Sequence, residues 1–459
     1  MCRGAGNPGR TMPPAPSSSS AVAAADPRGG RGWLSALLRY PSKRARRADD
    51  DGTPLTDELL LVIFAGVPDL ADLVRCAATC QRWRRLVSAE AAFLCRTPRR
   101  QPGRFIGPLA LGFFNHQMDA PRFVPTADAS RRFPGLLQQP PPSLSTLVDD
   151  GLFDGSSRIV ASRNGLLVID LRRRKHDRAL KLCVCNPMAG VVHVLPRLGG
   201  KDGLGSYACT VLTADDRDEK TIEPPRSSSY FRLVMVYTRR GFTAFRSYSS
   251  EEGSWSEEAK VTNARLGKKQ MGLTHNGVVG RGGRLVYWLS KNVVFVLSLE
   301  TLQSAVVSMP RSGNGLKFDM ANTLLGLSPN GTLCAVQIGH VSLKPANRRV
   351  PIRVTTCTDR CWWDTEELIQ IEQSLPADVG NIRLQWFCEK SGAVFFSTIS
   401  GDSDHLRSEM YVLNIKTRVV DKLVSHDRNS NPWGYVHGYE MDQTAYLASL
   451  AEPEGMEDM

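Results

Sequence analysis

Residues 53–96 read TPLTDELLLVIFAGVPDLADLVRCAATCQRWRRLVSAEAAFLCR, and the organisation of the chain follows from this stretch. It predicts three short helices. Thr56 is placed to cap the first, with Asp57 and Glu58 in its first turn. Leu59, Leu60, Ile63 and Phe64 follow at helical spacing, and Gly66 and Pro68 end the run. Asp69 is placed to cap the second helix, which carries Leu70, Leu73, Val74 and Ala77. Thr79 is placed to cap the third, with Cys80, Trp83, Leu86 and Val87 on one side and Gln81, Arg82, Arg84 and Arg85 on the other. Phe93 and Leu94 close the unit. Three short helices cannot hide this many apolar side chains from one another, and so small a unit rarely holds a core alone. The stretch therefore reads as a docking element completed by a partner. A plain helical subdomain packed on the rest of the chain is the competing reading.

The stretch resembles the F-box. The matching residues are Leu55, Glu58-Leu59-Leu60, Ile63, Pro68, Asp69-Leu70, Leu73, Arg75, Cys80, Arg82-Trp83-Arg84, Leu86 and Phe93. Two positions depart from the family pattern: Thr56 stands in place of a Pro and Thr79 in place of a Val. The resemblance implies binding to the Skp-family adaptor of a cullin–RING ubiquitin ligase. It implies adaptor contacts at Leu55, Leu59, Leu60, Ile63, Leu70, Leu73, Cys80, Trp83, Leu86 and Phe93. Such a chain is a substrate-recognition subunit and not an enzyme, because ubiquitin transfer belongs to other subunits. Its contribution is to hold a target protein near the activated ubiquitin.

Outward from this stretch, the 459 residues are enough for two or three units. Residues 1–52 are rich in Gly, Pro, Ala, Ser and Arg and read as a disordered basic tail, with an import-type cluster at Lys43-Arg44-Ala45-Arg46-Arg47. Residues 53–97 read as the F-box, and residues 98–155, with Pro98, Pro102 and Pro140-Pro141-Pro142, as a connector. Residues 156–450 read as a β domain and residues 451–459 as an acidic disordered tail. The net charge is +12, which permits acidic partners without requiring them. No apolar run is long enough to span a bilayer, so no membrane association is expected. The eleven Cys form no paired framework and no secretory leader is visible. Reduced thiols in the nucleus and/or cytoplasm are the expectation.

From Arg158 onward short apolar runs alternate with turns, and the runs repeat. One half-repeat is a Gly turn entering a strand: Asn164-Gly165 into Leu166–Ile169, Gly282-Gly283 into Arg284–Trp288, Asn330-Gly331 into Thr332–Val336, and Ser391-Gly392 into Ala393–Phe396. Tyr230–Tyr237 is a fifth strand without that Gly. The other half-repeat is a strand, a turn and a strand, starting at Leu182, Phe245, Val294, Ile352 and Tyr411. The spacing suits four-stranded propeller blades. The predicted fold is α+β multidomain: a small three-helix F-box, then an all-β propeller-like domain of five to seven blades. An irregular pair of β-sandwiches is the alternative. Ser162-Asn164-Gly165-Leu166, Cys185-Asn186-Pro187 and Ser249–Trp255 are also loosely similar to the kelch-like associated domains of plant F-box proteins.

No cofactor and no metal site is expected. Cys76 and Cys80 lie one turn apart without further ligands, Cys183 and Cys185 are read as facing opposite ways on a strand, and Cys357 and Cys361 lack a second pair. The eight His are dispersed, and no nucleophile–base pattern or phosphate loop appears. Arg172-Arg173-Arg174-Lys175 is a basic run with two readings, a solvated loop or a contact for an acidic or phosphorylated protein substrate. Of Trp362 and Trp363, one is expected to face the core. Nucleic acid is not an expected partner, because bases and aromatics do not interleave. The alternative function is a non-catalytic β-propeller scaffold with a vestigial F-box, outside any ubiquitin ligase.

Overall fold

Apolar runs broken by tight turns become antiparallel strands, and strands apolar on both faces need a covering layer on each side. The computed structural model describes residues 54–67, 70–96, 105–115, 120–132, 143–144, 151–172, 179–198, 206–216, 230–271, 276–309, 318–339, 349–357, 363–401, 407–427 and 436–451. The sequence readings on residues 1–52, Pro68, Asp69, Pro98–Pro102, Pro140–Pro142, Arg173–Lys175, Trp362 and residues 452–459 lie outside them.

The helical unit has four segments: α1 (Asp57–Gly66), α2 (Leu70–Ala77), α3 (Gln81–Ala89) and α4 (Ala91–Arg96). The third predicted helix is divided at Glu90, whose backbone N–H turns back to the Leu86 carbonyl. Two predicted caps are corrected. Thr56 occupies the first cap position but its side chain makes no capping hydrogen bond. Cys80, not Thr79, caps α3, its Sγ accepting from the Trp83 N–H at 3.4 Å.

The β region is a six-bladed propeller. The second blade is β3 (Arg158–Arg163), β4 (Leu166–Asp170), β5 (Leu182–Asn186) and β6 (Val191–Val194). The third has β7 (Tyr207–Thr213), β8 (Phe231–Thr238), β9 (Thr243–Ser249) and β10 (Ser254–Trp255), with β11 (Ala259–Lys260) also on β9. The fourth has β13 (Val278–Val279), β14 (Leu285–Ser290), β15 (Val293–Ser298) and β16 (Gln303–Ser308), edged by the parallel strand β12 (Thr262–Asn263). The fifth is β17 (Phe318–Leu327), β18 (Leu333–Gly339), β19 (Pro351–Cys357) and β20 (Trp363–Gln370). The sixth is β21 (Val379–Phe387), β22 (Ala393–Ser400), β23 (Arg407–Asn414) and β24 (Val420–Asp427). All five sequence repeats fall on these five blades.

The first blade is drawn from both ends of the chain. β1 (Ala110–Asn115) lies between β2 (Arg122–Pro125) and β25 (Val436–Glu440). The stretch read as a connector therefore supplies two strands of the blade that closes the ring. β1 is buried along its whole length. Leu111 and Phe114 enter the layer shared with the second blade, and Ala110 and Phe113 enter the layer shared with the sixth. Four further apolar layers lie between successive blades. This explains why β5 and β18 are buried at every residue and β8 throughout Leu233–Tyr237: both of their faces meet a neighbouring blade.

The innermost strands are β3, β7, β13, β17 and β21, the first of each blade's four, and β25 in the first blade, and these strands run the same way. Residues ending β3 meet residues just after β7, and Gly326 of β17 lies against Phe387 of β21 so closely that a Cβ would come within 1.7 Å of that ring. The propeller thus has two ends, one where the inner strands begin and one where they finish. After β25 finishes, the short helix α7 (Gln443–Ala448) follows; α5 (Ala127–Arg132) and α6 (Lys268–Met271) are further helices among the described residues.

Candidate functional site

The helical unit has a filled core and an uncovered apolar surface. Leu60, Phe64 and Ala65 of α1 turn inward with Leu73, Ala77, Val87, Ala91 and Leu94. Trp83 packs edge-on against Phe64 with ring centroids 5.2 Å apart. Arg82 ties the entering chain to α3, donating to the Leu55 carbonyl at 2.6 Å and to Asp57 Oδ1 at 2.9 Å. The opposite side of α1 stays exposed: Leu59, Val62 and Ile63 are 52%, 53% and 52% accessible. Phe93 on the adjacent α4 is 47% accessible, and Leu55 is exposed ahead of α1. A helix apolar all round is normally buried all round, so α1 lacks a cover on one side.

The ten residues expected to contact an adaptor divide accordingly. Leu55, Leu59, Ile63 and Phe93 are exposed, whereas Leu60 and Leu73 are buried in the unit itself. Leu70, Cys80, Trp83 and Leu86 are half-buried. Val62 belongs to the exposed set and was not among the ten. Its position one turn after Leu59 is the signal that marks it.

The unit is joined to the propeller by the other end of the chain. Leu447 of α7 is fully buried in the helical core, with Ala448 and Leu450 packed beside it. Asp442 caps α7, its Oδ1 accepting from the Ala445 N–H at 2.9 Å, and it reaches back to the second blade, where Asn186 Nδ2 donates to Oδ2 at 3.3 Å. Burial pushes the Asp442 carboxyl up to about 6. Tyr439 donates its hydroxyl to the Gly165 carbonyl at 2.9 Å. The helical unit therefore sits at the end where the inner strands finish.

A buried charge cluster lies at the same end. Arg163, at the end of β3, donates to Asp216 at 2.5 and 2.7 Å and to Glu389 Oε2 at 3.3 Å. Lys390 Nζ donates to Asp215 at 2.5 Å, and Glu440 accepts the Ser391 N–H at 2.6 Å. Burial pushes Glu389 up to about 7, with Arg163 pulling it down and the Glu440 and Asp216 carboxylates pushing it up. Every acid in this cluster meets a donor of the fold, so the cluster reads as a clasp between the second, third, sixth and first blades.

Other sequence candidates fall in structural positions. Arg172 is half-buried, paired with Asp170 at 2.6 Å and set over the Tyr207 ring, so it is an internal brace. Cys183 and Cys185 both face the layer between the first and second blades, which corrects the reading that they face opposite ways; residues two apart on a strand share a face. Cys76 lies in α2 and Cys80 caps α3, so they do not share a helix. Trp363 donates to the Ser308 carbonyl at 2.8 Å and packs between the fourth and fifth blades. Among the described residues no group of three or more His, Cys, Asp or Glu is placed to hold a metal ion. No described helix is long and apolar enough to cross a membrane.

A family model described as F-box-like matches residues 57–96, the span of α1 to α4. A second model, described as a domain of unknown function (DUF7595), matches residues 123–398, more than half of the chain. The chain belongs to the DUF7595 family. In this member the DUF7595 region runs from β2 into β22, so the family match covers most of the propeller but stops before β25 closes it. No curated protein matches the chain. Among solved structures, this DUF7595 chain is similar to a putative TolB from Agrobacterium tumefaciens at 10% identity and TM-score 0.33, covering 62% of this chain and 89% of the other. It is also similar to the α-L-arabinofuranosidase Arb93A from Fusarium graminearum at 13% identity and TM-score 0.34, covering 58% and 79%. These likenesses say nothing of what a DUF7595 chain does.

Proposed function

We propose that this chain is the non-catalytic substrate-recognition subunit of a Skp–cullin–F-box ubiquitin ligase. The observation that carries the reading is the uncovered apolar side of α1. Leu59, Val62 and Ile63 remain exposed although the F-box-like unit already has a filled core and has received Leu447. Contiguous exposed apolar surface of this kind marks an interaction site. A Skp-family adaptor is the partner that an F-box-like match on these same helices supports. The propeller then takes the part of the kelch-like associated domain and binds a protein target, in the nucleus and/or cytoplasm.

Reconstitution tests the reading. The purified chain is mixed with Skp-family adaptor, cullin and RING subunit and resolved by size-exclusion chromatography. Co-elution with adaptor and cullin is expected for the wild type and not for Leu59→Ala/Ile63→Ala. Separate elution of a folded wild-type chain would count against the ligase assignment.

A further inference from the structure

We infer that the propeller end opposite the F-box is a basic docking face for an acidic segment of a partner protein. The inference rests on the receptor reading and names the chemistry of what the receptor holds. Strand register fixes which residues lie at that end. Asp170 pairs with Arg158 at the start of β3, and the Tyr207 hydroxyl at the start of β7 donates to Asp170 at 2.8 Å, so the ends of β4 and the starts of β3 and β7 lie together. The same register places Arg240 between β8 and β9, Lys291 between β14 and β15, Arg349 before β19 and Arg407 at the start of β23 at this end. Arg197 lies there too, beside the Leu180–Leu198 bridge.

Arg158, Arg197, Arg240, Lys291, Arg349 and Arg407 are all exposed, and each of five successive blades supplies at least one of them. Arg407 also pairs with the buried Glu409. Among the described residues, exposed carboxylates at the same end are Asp154, Asp319, Asp378 and Glu258, the last already bound by Arg239 at 2.8 Å. The other end is different. Among its described propeller residues, the exposed bases Arg284 and Arg418 are matched by Glu300 and Glu367, Lys416 is set against the added acid of Glu251 and Glu252, and the F-box unit occupies part of it. The positive excess is therefore directional. An end ringed with arginines and free of the F-box presents a field that attracts and orients an anionic chain. Within a receptor whose target is a protein, that chain is an Asp/Glu-rich segment.

The test uses the full chain with adaptor bound and a fluorescein-labelled poly-glutamate peptide, followed by anisotropy. Binding is expected, and it should weaken as salt is raised. Reversing Arg197, Arg240, Lys291 and Arg349 to Glu should weaken it by about tenfold or more, while Lys416→Glu at the F-box end leaves it unchanged. Adaptor binding by the same variants, which touch no F-box residue, should stay at the wild-type value. That separates failure of the face from failure of the receptor reading. Equal peptide binding by the four-residue variant and wild type, no binding by wild type, or a single-stranded oligonucleotide binding more tightly than the peptide would overturn the inference.

Discussion

Gly165 and Asp442 touch across the junction between propeller and F-box: a Cβ added to Gly165 would lie 2.3 Å from Cβ of Asp442. Gly165 also holds φ at +77°, where side chains other than Gly are strained. Gly165→Ala should thus cost about 2 kcal/mol or more, combining backbone strain with a forced shift of Asp442. Urea unfolding of wild type and variant measures it. A variant of unchanged midpoint would show that the turn and the cap of α7 are not in contact.

Leu447 makes the F-box dependent on the far end of the chain. Its side chain is wholly buried in the helical core. Leu447→Ala should cost about 2–5 kcal/mol locally, and deletion from Asp442 onward should have the larger effect. Hydrogen exchange in α1 to α4 should rise in both variants while the exchange of β8 and β18 stays slow. Unchanged exchange in the four helices would show that the unit is held by its own residues alone.

The Glu389 carboxyl gives the fold a pH dependence of defined sign. Its ordinary value of 4.5 is raised in the folded chain to about 7, chiefly by burial. Folding therefore takes up a proton between those values, and this group's contribution to stability is complete below about 4.5 and lost as pH rises through about 7. Glu389→Gln should flatten the stability profile across that window. The check is urea denaturation at a series of pH values, and parallel profiles for the two proteins would contradict it.

Thiol reactivity should separate the two units. Burial pushes Cys183, Cys185, Cys334 and Cys388 well up and Cys209 up to about 12, so these propeller thiols stay protonated and covered. Cys80 in the F-box is only half-buried. A thiol reagent under native conditions should modify Cys80 before any of those five, as read by peptide mass spectrometry. Early labelling of Cys185 would mean that the layer between the first and second blades opens readily.

Five of the six blades were legible in the sequence because each carries its own punctuation. Asn164-Gly165, Gly282-Gly283, Gly331 and Gly392 adopt the positive φ that tight turns need, and the third blade is marked by its strand content alone. The first blade was hidden because it is not a repeat. β1 and β2 lie among prolines that suggest a connector, and β25 arrives from more than three hundred residues away. The docking of Leu447 was hidden for the same reason, since no local pattern tells a short C-terminal helix which core it will enter. At the F-box the pattern of residue types was legible but their direction was not. Leu59 and Leu60 are adjacent and chemically identical, yet Leu59 faces solvent and Leu60 the core.

The most direct measurement is a binding titration of Skp-family adaptor against the full chain, comparing wild type with Leu59→Ala/Ile63→Ala. Both side chains are more than half exposed, so the variant should fold with an unchanged melting temperature. The account predicts saturable binding by wild type, weakened by about a hundredfold or more in the variant. Wild-type affinity in the folded variant would remove the apolar side of α1 from the interface. Absence of binding by wild type would leave the chain a propeller scaffold carrying a vestigial F-box.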